Sequence, residues 1–190
     1  FARKKGLKIF NEFFNYRLAK KLSKKGLSCD LIIANNVIAH IPNLNDFLLG
    51  MNILLKKTGV ITVEFQYLVN LIEKLQFDTL YHEHFSYFSL TSLNYVVKKS
   101  GLKIFHCEEI DTHGGSLRVY IKKLDNNAIK EKKSVKYFKN YEYEKGIKNK
   151  KYYQNFEKQV KKIKTQSLNF INNLNDKIIA FGASAKGATF

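Results

Sequence analysis

Between Asn11 and Lys25, Phe14, Leu18 and Leu22 recur at helical spacing, and Lys20, Lys21, Lys24 and Lys25 fill the last turns before Gly26. This predicts an amphipathic helix whose basic end complements its dipole. The period then changes. Cys29-Asp30-Leu31-Ile32-Ile33-Ala34 is a short apolar run bounded by turn residues, the pattern of a buried strand. Pro42 and Asn43 open a second helix through Leu55, with Phe47, Leu48, Met51, Leu54 and Leu55 on its apolar side. After Thr58-Gly59, the β-branched run Val60 to Phe65 predicts another strand, and Tyr67 to Leu75 a short helix.

Thr91 to Lys99 is predicted helical and ends at Gly101. Leu102 to Ile110 follows as a strand, and Leu117, Val119 and Ile121 alternate as a further strand after the Gly114-Gly115 turn. Strand and helix alternate up to Lys99, so the expected class is α/β: a mainly parallel sheet that finishes with an antiparallel hairpin. From Asn127 to Asn175 there is no proline, and Gly146 is the only glycine. That span predicts one or two long helices, lysine-rich outside, turning Tyr137, Phe138, Tyr141, Tyr152, Phe156, Val160 and Ile163 toward a partner surface. Lys177 to Phe181 restarts the strand pattern, and Gly182-Ala183-Ser184-Ala185-Lys186-Gly187 follows as a loop entering a helix.

Composition changes this picture only slightly. The 190 residues are 45% hydrophobic and 14% aromatic, which fits a folded chain with one sizeable core or one core and the start of another. The net charge of +17 suggests nucleic acid, but only Arg3, Arg17 and Arg118 are arginines. Nucleic-acid readers rely on arginine for bidentate contacts. The lysines are scattered over solvated positions, so a basic RNA-binding or partner-binding domain is the lesser reading. Cys29 and Cys107 lie far apart in apolar segments, without a CxxC pair. They are expected to be buried, reduced thiols in a cytoplasmic protein, with no metal site and no disulfide framework. No apolar run is long enough to span a bilayer, and no membrane partner is expected. A chain that opens at Phe1 and stops at Phe190 is expected to be an internal piece of a longer protein.

The densest chemistry lies in Tyr81-His82-Glu83-His84-Phe85-Ser86-Tyr87-Phe88. A phenol, a carboxylate and two imidazoles stand beside aromatic bulk, and these are the groups that move protons near neutral pH. The plain alternative is a hydrogen-bonded cluster that holds a bend. Side chains alternate along an extended segment, which would turn Tyr81 and Glu83 away from His84. The groups converge only if the segment bends or if Tyr81 and His84 share one turn.

Four pieces resemble, in order, the sugar C-methyltransferases that act on nucleotide-linked 4-keto-6-deoxysugars with S-adenosylmethionine (SAM). They are Ala34-Asn35-Asn36-Val37-Ile38-Ala39-His40-Ile41, Phe77-Asp78-Thr79-Leu80-Tyr81-His82-Glu83-His84, His113-Gly114-Gly115-Ser116-Leu117-Arg118 and Gly182 to Gly187. The resemblance implies the second half of a Rossmann-like class I methyltransferase sheet, then long helices, then the start of a second α/β domain. The corresponding division is 1–124, 125–176 and 177–190. The family's zinc-binding segment, its glycine-rich SAM loop and its ribose-gripping acidic residue would all lie upstream of Phe1, so the chain alone is expected to bind SAM poorly.

By the same resemblance, His84 is the candidate base that removes the proton at C3, beside the ketone, to give an enolate. Tyr81 would donate to the enolate oxygen. Glu83 would orient an imidazole or hold a sugar hydroxyl, or simply pair with a lysine. His40 follows a strand at the carboxyl edge of the sheet, where open α/β sheets bind ligands, and Asn35 and Asn36 on the same edge would reach SAM or act as turn formers. His113, Gly115 and Ser116 would border the nucleotide-sugar or merely connect two strands, and Ser184 and Lys186 would bind its pyrophosphate at a helix N-terminus or belong to an ordinary connection. Arg118 belongs to the same motif as His113 and would either border the nucleotide-sugar with it or point away from the site. Methylation of oxygen or of another small carbon acid on the same fold is the alternative enzyme.

Overall fold

The structure is a computed structural model that describes residues 3–179, 181–182 and 185–189. Helix α1 (Tyr16–Lys24) starts at Asn15, whose side chain accepts from the Leu18 N–H. The chain continues through β1 (Cys29–Asn35), α2 (Leu44–Leu54), β2 (Leu55–Gln66) and α3 (Leu68–Glu73). After an irregular stretch come α4 (Leu90–Lys99), β3 (Leu102–Ile110), β4 (Ser116–Lys123), α5 (Lys133–Lys145), α6 (Lys150–Asn172) and α7 (Ala185–Thr189). The four strands form one sheet in the order β1-β2-β4-β3.

The sheet corrects one expectation. Only β1 and β2 are parallel, while β4 runs antiparallel to both β2 and β3. The last strand inserts between β2 and β3 instead of adding at the edge. The expected hairpin is present, but placing it inside the sheet makes two of the three pairings antiparallel. The α/β class stands, and β2 becomes an interior strand. Ile61, Val63 and Phe65 on β2 join Val119 and Ile121 of β4 in the core, with Leu48 and Met51 of α2 packed against them. Each such buried side chain contributes about 1.5–3 kcal/mol relative to exposure.

The long helical span divides where Gly146 takes φ +75°, and Asn149 caps the start of α6 by accepting from the Lys151 N–H. Of the aromatic residues expected to face inward, Phe138 is buried while Tyr137 is largely exposed. Helix α6 has no buried residue, so its apolar stripe is covered at most in part. Lys177–Ile179 and Phe181 do not form the expected strand. A strand exists only through its ladder partner, and no described strand lies beside this segment. Cys29 and Cys107 are both free, but only Cys107 is buried, and burial pushes its thiol up to about 11.

Candidate active site

The parallel pair β1 and β2 ends at Asn35 and Gln66, which places both carboxyl ends at one edge of the sheet. Two irregular segments meet there. After β1 a single turn, Ile38–His40, carries His40. After α3 the turn Phe77–Thr79 leads into a tight bend, in which the His84 N–H donates to the Tyr81 carbonyl at 3.1 Å. This bend supplies the shared turn that convergence requires. The Tyr81 and His84 rings lie 4.5 Å apart, centroid to centroid, at 32°.

The N–H groups of Phe85 and Ser86 donate to the Ala39 carbonyl at 2.8 and 3.3 Å, pinning the bend to the turn after β1. His40 and His84 are thereby held with ring centroids 4.7 Å apart, and Tyr87 closes on His84 from another side at 5.6 Å. A cavity of about 150 Å³ opens here. Its walls include Asn36, Ala39 and His40 after β1, Phe65 and Gln66 from β2, and Thr79, Tyr81, His84, Ser86 and Tyr87 from the bend. His113 and Lys186 complete the rim.

Hydrogen bonding sets the form of both imidazoles. The Thr79 carbonyl pairs with His84 Nδ1 at 3.1 Å and also accepts from the Tyr87 hydroxyl at 3.1 Å. A carbonyl only accepts, so Nδ1 carries the proton and Nε2 keeps its lone pair. The same logic applies to His40, whose Nδ1 lies 2.9 Å from the Glu83 carbonyl. Burial, and then the neighbouring His40, hold His84 below the ordinary imidazole range, only partly offset by the Thr79 bond and by Glu83. The neutral form of the His84 imidazole is therefore favoured. Burial moves the Tyr87 phenol up, which keeps it a donor.

The remaining sequence candidates do not all reach the cavity. Asn36, in the left-handed region at φ +53°, and His113, at φ +51°, both line the cavity. Lys186 also lines it, with its Nζ 3.5 Å from the Asp78 carboxylate. Glu83 is exposed and outside the wall, so its contact with the cluster is through its carbonyl. Asn35 is exposed at the end of β1, also outside. Gly115 and Ser116 are buried behind the rim: the Gly115 carbonyl accepts from the Tyr67 N–H, and the Ser116 hydroxyl donates to the Thr112 carbonyl at 3.0 Å. A Cβ at Gly115 would collide with the Asn70 amide, so the turn needs glycine there. Arg118 pairs with Glu64 at 3.0 Å and Glu108 at 3.6 Å, away from the cavity. Ser184 lies outside the described residues.

Sequence reasoning passed over Thr79, Tyr87 and Gln66 as site residues. Thr79 acts through its backbone oxygen, which no residue type announces. Gln66 ends a strand at the carboxyl edge and was open to the rule applied to Asn35. Among the described residues, no group of three or more His, Cys, Asp or Glu is placed to hold a metal, and no helix is long and apolar enough to cross a membrane.

The cavity at the carboxyl edge of the sheet has an imidazole and a phenol in its wall, groups of the kind that proton transfer requires. Residues 3–106 match the family described as a methyltransferase domain, and the chain belongs to that family. Residues 111–190 match the family described as the C-methyltransferase C-terminal domain. The C-methyltransferase NovU of Streptomyces niveus is 35% identical over 119 residues, covering 63% of this chain and 28% of that protein. The chain thus spans well under half of the curated relative it matches. Among solved structures, the magnesium protoporphyrin IX methyltransferase of Synechocystis PCC 6803 aligns with TM-score 0.39 and 13% identity over 50% of this chain and 45% of that one. The 1,6-didemethyltoxoflavin-N1-methyltransferase of Burkholderia thailandensis gives 0.41 and 16% over 50% and 44%. Likenesses this distant carry no argument about substrate.

Proposed function

We propose that this chain forms the carbon-acid half of a SAM-dependent C-methyltransferase, taking a nucleotide-linked 4-keto-6-deoxysugar and removing the proton at C3. The observation that supports this most strongly is the His84 ring, tied at Nδ1 to the Thr79 carbonyl and, among the described residues, without a hydrogen-bond partner at Nε2, beside the Tyr81 phenol in one cavity. His84 Nε2 takes the C3 proton. The C–H bonding pair becomes the enolate, and the Tyr81 hydroxyl donates to its oxygen. A positioned base contributes about 3–5 kcal/mol and an oxyanion donor about 3–4 kcal/mol, so the two must act together. His40, held by the Glu83 carbonyl, sets the polarity beside His84 and keeps its own Nε2 available to pass the proton on.

The residues present fit the reactive end of SAM in one respect: Asn36 turns left-handed at the carboxyl end of β1 and lines the cavity wall beside His40. Asn36, with Asn35 beyond the wall, would hold that end, and SAM, when bound, supplies the methyl group that the carbon nucleophile takes. His113 and Lys186 on the rim suit the anionic pyrophosphate, with Ser184, Gly115 and Ser116 as further contacts or supports. On this reading residues 1–124 belong to the methyltransferase domain, 125–176 connect, and 177–190 begin the nucleotide-sugar domain. The work is cytoplasmic, where both thiols stay reduced.

The test is exchange in D₂O by the protein that carries this chain, given a nucleotide-linked 4-keto-6-deoxysugar. Deuterium should appear at C3, and His84→Gln should slow that appearance about 10²–10⁴-fold. Methyl transfer that leaves the C3–H bond intact would identify O-methylation instead. Indifference to the nucleotide-sugar, with RNA binding that collapses as salt rises, would point to a nucleic-acid module.

A further inference from the structure

One residue of the cavity wall, Gln66, carries an amide whose direction is determined from outside the cavity. Gln66 is the last residue of β2, half-buried, and its Cα pairs with Ser116 across the sheet. Its Nε2 donates to Gln76 Oε1 at 3.0 Å, and Gln76 Nε2 donates to the Gly114 carbonyl at 2.9 Å. The chain of amides ends on a backbone oxygen, which accepts only. Turning Gln76 over would set two oxygens against each other, and turning Gln66 over would set its oxygen against Gln76 Oε1. One backbone carbonyl therefore orients both side chains.

Lys74 Nζ also donates to the Gly114 carbonyl at 2.9 Å, which anchors the glycine turn on the Lys74–Gln76 corner. A Cβ on Gly114 would collide with the Gln76 amide, so the close approach requires glycine at φ +80°. Gln76 is not part of the cavity wall, whereas Gln66 is. With one of its two Nε2 hydrogens committed to Gln76, Gln66 keeps its carbonyl oxygen as an acceptor, and among the described residues nothing donates to it.

We infer that Gln66 is a specificity-determining residue: its fixed carbonyl oxygen accepts a hydrogen bond from one hydroxyl of the bound sugar. An amide oxygen repels a ketone or an enolate oxygen, so Gln66 also keeps the reacting carbonyl on the Tyr81 side of the cavity. This rests on the proposal of a hydroxylated ketosugar substrate and deepens it. The Gly114 turn, rather than the substrate, selects which end of the amide is offered.

The experiment compares a nucleotide-linked 4-keto-6-deoxyhexose with analogues in which each sugar hydroxyl in turn is replaced by hydrogen. Wild-type protein should lose roughly tenfold in kcat/KM for C3 exchange on one of these analogues. Gln66→Met should lose a similar factor on the parent sugar, mainly through KM, and nothing further on that analogue. Gln76→Met, outside the wall, frees the amide to turn and should shrink the same penalty while leaving the thermal midpoint close to wild type. Equal losses on every analogue in wild type and Gln66→Met would overturn the inference. Absence of exchange in wild type on any of these sugars would instead overturn the functional proposal, so the two failures are separable.

Discussion

Two polar clusters in this molecule use the same kinds of group for opposite ends. At the cavity, His84 gives one ring nitrogen to the Thr79 carbonyl and, among the described residues, leaves the other without a partner. In the core, the wholly buried Glu142 of α5 leaves little unused. Its Oε1 accepts from the Tyr67 hydroxyl at 3.0 Å and from the Leu90 N–H, and its Oε2 accepts from the Thr91 N–H at 2.8 Å. Leu90 and Thr91 are the first residues of α4, so a carboxylate from another helix satisfies two orphan donors and faces the positive end of the dipole. Ser89 and Ser92 add a capping box at the same end. Burial and then the charge of Glu142 push the Tyr67 phenol far above its ordinary range, so it stays a donor. A cluster whose partners use up its capacity holds structure; one that keeps a lone pair at a cavity wall can do chemistry.

The sharpest way to break this contrast is to remove Glu142. Glu142→Ala strands three donors, two of them buried and the third half-buried, and should cost about 3–5 kcal/mol. A fall of roughly 10 °C or more in the thermal midpoint is expected, whereas His84→Gln should leave the midpoint nearly in place. Equal midpoints for Glu142→Ala and wild type would deny the core cluster its structural role. Tyr67→Phe removes one donor and should cost about 1–3 kcal/mol, read from the denaturant midpoint with C3 exchange retained. A loss of exchange larger than the loss of folded protein would place Tyr67 in the catalytic cluster after all.

The smallest effect concerns pH. The His84 pKa is lowered in the folded chain, so the base stays neutral below the value of about 6.5 for a free imidazole. The acid limb of kcat/KM for exchange should therefore have its midpoint under about 6.5, and His40→Asn should move it upward. The linkage sign agrees. A depressed folded pKa gives stability that is present above about 6.5 and lost as pH falls through the lowered value. An acid limb centred above that point would show that burial does not control the base.

Much of the fold was legible because its signals are local. Asn15 and Asn43 cap helices close to where the apolar period begins, Gly146 splits the long helical span, and Leu102 to Ile110 is a strand over the predicted residues. The position of β4 was not legible. Alternation in Leu117, Val119 and Ile121 specifies a strand with one apolar face, but not which neighbour it enters between. At the site, residue types identified His84, Tyr81 and His40, yet their convergence depends on Phe85 and Ser86 reaching the Ala39 carbonyl across the fold. Glu142 was hidden because a glutamate in a lysine-rich helix looks solvated until α5 docks over the start of α4.

By itself the sequence determined where helices and strands form, since period, caps and glycines act within a few residues. It also determined which side chains can move a proton, since that is a property of residue type. Only the tertiary structure decided which of those groups keep a free lone pair. Hydrogen-bond partners such as Thr79, Glu83, Gln76 and Gly114 are supplied by distant or backbone atoms, and those arise only once the chain has closed on itself.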